Sequence, residues 1–208
     1  MIKIKIKYSI EDEIKRIITT IKKIDWFIEQ GYDFDKLTFP KSLPIAKIKL
    51  VTEEEIKSFV EEEYNIEDFD NNAKYLKSEW LKIGVILSEK IQKIGIKPED
   101  EYFIYFTKYG MGGSYHRPKS VILNITRKWN VGLLRTVIHE IIHLSIEDLI
   151  MEYKIKHWAK ERIVDLIFAD FFPEFSKMQN IPNTEEVDIV FNKYYPNIKK
   201  IITEVSRL

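Results

Sequence analysis

Apolar and polar positions alternate at the start of this chain. Ile2, Ile4 and Ile6 are separated by Lys3, Lys5 and Lys7, and this period of two predicts a strand over residues 2–8. The period then lengthens. Ile10, Ile14, Ile17, Ile21, Ile24 and Ile28 recur at helical spacing to about Gln30, behind Ser9 as a cap. Residues 31–44 carry Gly31, Pro40 and Pro44 and read as a loop, followed by a short strand from Ile45 to Val51. Thr52 to Glu55 forms a capping box that opens a helix to about Glu63, and residues 64–71 look turn-like. Leu76, Trp80, Ile83, Leu87 and Ile91 stripe one side of a long helix from about Asn72 to Ile94.

The pattern breaks at Lys97-Pro98-Glu99-Asp100. Beyond it, Tyr102 to Phe106 and Ser120 to Thr126 read as strands, with the glycine-rich stretch Gly110 to Ser114 as a turn between them. Helices follow from about Asn130 to Leu149, from Ile155 to Phe172, from Thr184 to Tyr195, and from Pro196 to Ser206. The expectation is an α+β fold, a small mixed sheet packed on helices. It divides into a mostly helical accessory region, 1–98, and a region of chemistry, 99–208.

Composition narrows the partners. Lys plus Arg and Asp plus Glu each number 33, so no global basic field recruits nucleic acid. Cysteine is absent, which removes disulfides and thiolate metal sites. The alternating N-terminus is no signal peptide, and no run approaches the roughly 20 apolar residues of a membrane span. A cytoplasmic protein with no membrane partner is expected.

The chemistry concentrates in His139-Glu140-Ile141-Ile142-His143. Histidines four apart on a helix share a face, so both imidazoles reach one metal ion. Glu140 is then placed to act as base on a metal-bound water. The chain has four histidines, and two occupy this motif. Val137, Ile138, Ile141, Ile142 and Leu144 make the surrounding helix apolar, as a buried catalytic helix requires, although Ser145 stands where an apolar residue is usual.

A catalytic zinc takes three protein ligands and keeps one position open. Ile146 and Leu149 stand where a metzincin carries Gly and His, which closes that route. Glu147 lies eight residues past His139, about 12 Å along the axis, too far to share the metal. Glu161, eighteen residues beyond His143, is the better third ligand. Asp165 follows it four residues later on the same helix face, where it can accept a hydrogen bond from a ligating histidine. Imidazole and carboxylate donors favour zinc.

The pair HEIIH and ERIVD resembles the gluzincins, the thermolysin-like zinc metallopeptidases, over roughly residues 100–172; the short chain resembles minigluzincins. The resemblance implies a thermolysin-like core with His139, His143 and Glu161 on one zinc, Glu140 as general base, and Asp165 holding His139. It also implies a peptide or protein substrate, added to the edge of the sheet along the strand that precedes the motif helix, here Val121 to Thr126. Lys160 stands where these enzymes often have Asn. Tyr153, His157 and His116 are candidates to steady the oxyanion, none fixed by spacing. A competing reading is a non-catalytic zinc-binding regulatory protein, against which an intact Glu140 argues. Self-inhibition by a terminal segment is a further possibility.

Overall fold

The computed structural model describes residues 1–126 and 130–208. Four strands form one mixed sheet: β1 (Lys3–Lys7), β2 (Glu101–Thr107), β3 (Gly113–His116) and β4 (Ser120–Asn124). Their order across the sheet is β1-β2-β4-β3. β1 and β2 run parallel, β2 and β4 run parallel, and β3 turns back antiparallel to β4, with Ser114 opposite Ile122. This gives the α+β fold with a small mixed sheet that the patterning predicts.

The helices are α1 (Ile10–Lys22), α2 (Ile24–Glu29), α3 (Glu53–Glu63), α4 (Ile66–Lys93), α5 (Val131–Glu152), α6 (His157–Phe171), α7 (Glu185–Tyr194) and α8 (Ile198–Val205). α5 is apolar on nearly every face, with Leu133, Val137, Ile138, Ile141 and Ile146 all inaccessible to solvent. A helix of that kind is stable only when surrounded. It contacts β3 and β4 on one side, and α4, α6 and α8 on others. Each such buried aliphatic side chain contributes about 1.5–3 kcal/mol, so the motif helix is firmly anchored in the core. A second cluster joins Ile17 and Ile24 to Leu37, Leu43, Ile56, Val60 and Tyr109, holding α1, α3 and the intervening loops together.

Several boundaries differ from the patterning. The helix expected over residues 10–30 is two helices, parted at Lys23, whose backbone N–H bonds to carbonyls of the preceding turn. Ile45–Leu50 is a 3₁₀ turn following Pro44, not a strand. The long helix starts six residues early, because the Asn65 side chain caps it by accepting from the Glu67 N–H. Part of the expected glycine turn is the strand β3. Most consequential for the site, the strand preceding the motif helix is not the sheet edge. β4 is flanked on both sides, and the edge facing α5 is β3. No helix among the described residues is long and apolar enough to cross a membrane.

Candidate metal centre

His139 and His143 lie one turn apart on α5 with their Nε2 atoms 3.0 Å from each other. α6 returns alongside and brings Glu161 Oε2 to 3.6 Å from His139 Nε2 and 3.3 Å from His143 Nε2. Two ligand atoms each 2.0–2.1 Å from a tetrahedral zinc are separated by about 3.3 Å. The three observed separations bracket that value, so the donor set fits one such ion. All three ligand atoms lie within 4.8 Å of one another.

The electrostatics suit a cation. Burial pulls His143 down to about 4, against the opposing field of Glu161, so its imidazole is neutral at pH 7. Burial acts on His139 in the same sense, but its bond to Glu161 and the fields of Glu140, Glu161 and Asp165 overcome it and leave the pKa raised. Burial alone would raise Glu161; the two histidines outweigh it and hold the carboxyl well below the usual carboxylate range. His143 and Glu161 are thus held in their ligating forms, a neutral imidazole and an anionic carboxylate, while the negative field that raises His139 is one a bound cation would occupy.

The two histidines are positioned by different means. His139 Nδ1 faces Asp165 Oδ1 at 3.6 Å, and Asp165 itself accepts from the Gln179 backbone N–H at 2.8 Å. Among the described residues, His143 Nδ1 is buried with no hydrogen-bond partner. Instead, the Tyr115 ring stacks on the His143 ring, with centroids 5.0 Å apart and planes 17° from parallel. The Tyr115 hydroxyl donates to Glu147 Oε2 at 2.7 Å and accepts from Lys160 Nζ at 2.8 Å. Glu147 thus acts on the site through Tyr115 and is no ligand, while Lys160 has its own use one residue before Glu161.

Glu140 is buried beside the strand β3. A Cβ on Gly113 would come within 2.5 Å of Glu140 Oε1, so only glycine lets the strand approach the carboxylate this closely. Gly110, at φ +78°, likewise makes room for Arg16, on whose Nε a Cβ would intrude at 2.6 Å. Arg16 reaches from α1 to donate to Ser114 Oγ at 3.1 Å and to the carbonyls of Tyr109 and Met111. Burial lowers Arg16 to about 10, and the fields of Glu140 and Glu13 support its charge. The strand beside Glu140 is therefore clamped by a cation from the N-terminal part of the chain.

A cleft of ≈ 330 Å³ opens over Glu140, His143 and Glu161 between β3, α1 and α6. Of the three oxyanion candidates, His157 and His116 line it. Tyr153 caps the C-terminal end of α5 and packs against the main core, away from the cleft. His157 Nε2 lies 2.8 Å from the Tyr32 hydroxyl, and its Nδ1 lies 3.9 Å from Glu161 Oε1. Burial and the fields of Glu161 and Glu140 raise Tyr32, keeping the phenol protonated. Tyr32, Tyr115 and Arg16 are parts of the site that motif spacing did not reveal; each reaches it from a distant stretch of chain.

Comparison of the chain with protein families, with curated proteins and with solved structures finds no match. The functional reading therefore rests on the site.

Proposed function

We propose that this chain is a zinc-dependent peptidase of the gluzincin type, built on a thermolysin-like core. The observation that carries the reading is the convergence of His139 Nε2, His143 Nε2 and Glu161 Oε2 beneath a cleft that Glu140 also lines. A zinc held by those three residues supplies Lewis acidity toward a water and toward the scissile carbonyl. Glu140 takes the proton of the attacking water and passes it to the leaving amine. Asp165 and Tyr115 keep the two imidazoles oriented. With its proton on Nε2, His157 donates to Tyr32 and leaves the phenolic hydrogen free for the developing oxyanion. An extended substrate adds to the free edge of β3 by backbone hydrogen bonds, which places its carbonyl over the motif helix.

The reading predicts about one zinc per chain by elemental analysis of protein purified without added metal. Glu161→Ala weakens or abolishes that binding. Glu140→Gln retains zinc and lowers peptide turnover by about 10²–10⁴-fold, the usual contribution of a general base. No zinc in the wild type after reconstitution refutes the centre. Full zinc with undiminished turnover in Glu140→Gln refutes its role as base, and full zinc with no peptide turnover in the wild type favours the non-catalytic reading.

A further inference from the structure

The cleft does not end at the metal centre. A second hollow of ≈ 370 Å³ continues along α1 toward β2 and β4, sharing Arg16, Thr19 and His116 with the first. The first lies beside the open edge of β3, the second lies over Tyr105 of β2 and Ser120 and Ile122 of β4, and the two meet at His116, the last residue of β3. Their α1 side carries Lys15 and Thr19, four residues apart on one face of that helix, and Lys23 just past its end. Among the described residues neither lysine makes an ion pair; the cations that do are elsewhere, such as Lys108 with Asp68 and Arg162 with Asp188. Lys23, Arg16 and Lys15 all act on His116, which burial already holds below its ordinary value, so their fields overlap where the two hollows meet. Among the described residues, Asp12 is the one acidic side chain lining the second hollow, and it is engaged in capping α1 through Ser9. Glu140 and Glu161 line the first hollow, the latter with its Oε2 turned to His139 and His143. A neutral chain thus has a positive rim along one wall of its cleft.

We propose that the cleft selects peptide segments bearing an acidic side chain, held by Lys15 and Lys23 while the backbone pairs with β3. The proposal rests on the peptidase reading and names its substrate class. An extended segment on β3 projects alternate side chains toward α1, which brings a carboxylate to one lysine without displacing the backbone from the strand edge. Two solvent-exposed cations attract such a carboxylate from solution and fix register more than they add affinity.

The test uses zinc-loaded full-length protein and quenched fluorescent peptides that differ at one position in turn, carrying Glu, Gln or Lys. At low salt, the Glu peptide is expected to exceed its Lys counterpart in kcat/KM by about tenfold at one position, with the ratio falling toward one in about 0.5 M salt. Lys15→Glu combined with Lys23→Glu inverts that ratio. Cleavage indifferent to charge at every position overturns the inference and leaves the peptidase reading standing. Should no peptide be cleaved, the peptidase reading fails, and anisotropy with labelled Glu and Lys peptides on the Glu140→Gln protein decides the inference separately. Tighter binding of the Glu peptide, lost in the double lysine variant, supports it; equal binding overturns it.

Discussion

The floor and the α1 wall of the cleft are built on different physical terms. The floor is α5 and α6, whose turns bearing His139, His143 and Glu161 lie among the buried Ile138, Ile142, Val164 and Ile167. Its polar groups are preset by neighbours a helical turn away or on the adjacent helix. The wall is α1 and the loop behind it. It rests on a smaller cluster of apolar side chains and meets the site through a few long-range polar contacts, chiefly Arg16 on β3 and Tyr32 on His157. Burial fixes the floor's geometry at the cost of desolvating charge, whereas the wall keeps its lysines in water. On the proposed reading, which asks the site to bind a metal firmly and a substrate reversibly, the two tasks fall to different parts.

The sharpest way to break the comparison is to ask whether the wall takes part in turnover. Tyr32→Phe removes one hydroxyl and leaves the ring among Trp26, Phe27 and Trp158. If Tyr32 steadies the oxyanion, kcat falls about 100-fold with zinc content and KM nearly unchanged. An unaltered kcat makes the wall a cover and passes the role to His157.

The floor is tested by Asp165→Asn, which keeps the shape and removes the charge facing His139 Nδ1. Zinc affinity, read by competition with a chelator, is expected to fall about tenfold while the fold is retained. No change would mean that packing alone orients His139, as stacking on Tyr115 orients His143.

The same division explains what could be read along the chain. Floor residues sit at fixed helical offsets, so His139, Glu140, His143, Glu161 and Asp165 were all visible as spacing. The wall is made by contacts between residues far apart, and no periodicity links Tyr32 to His157 or Arg16 to Ser114. The strand β3 was hidden because it is short and glycine-led. Its one signal was the three-residue interval Arg117-Pro118-Lys119 before β4, a hairpin length. The edge was placed at β4 by the resemblance, which sets it on the strand that precedes the motif helix. Tyr153 lies away from the cleft because its nearness in sequence to His143 and Glu161 does not survive the turn from α5 to α6. Ile45–Leu50 carries strand-like residues, but Pro44 and local packing of Ile48 in the second cluster favour a 3₁₀ turn.

The smallest effect on turnover, and the most specific to the wall, concerns how α1 is held to the sheet. Glu13 is buried and accepts from the Lys108 backbone N–H at 3.0 Å and from Thr107 Oγ1 at 3.1 Å, at the end of β2. Burial pushes its carboxyl up to about 8, although those bonds and the charges of Lys108 and Arg16 oppose the rise. The folded value lies above the ordinary one of 4.5, so folding binds this proton. The stability it contributes is fully present below pH 4.5 and is lost as pH rises through about 8, with a slope of up to about 1.4 kcal/mol per pH unit. Glu13→Gln keeps an oxygen acceptor for Lys108 and does not titrate. Thermal unfolding between pH 5 and 8.5 should therefore show wild-type Tm declining relative to that of Glu13→Gln, with the two curves converging at the acid end. Parallel curves would mean that Arg16 holds Glu13 ionised throughout, and that the wall is attached to the sheet by a buried ion pair instead of a neutral acid.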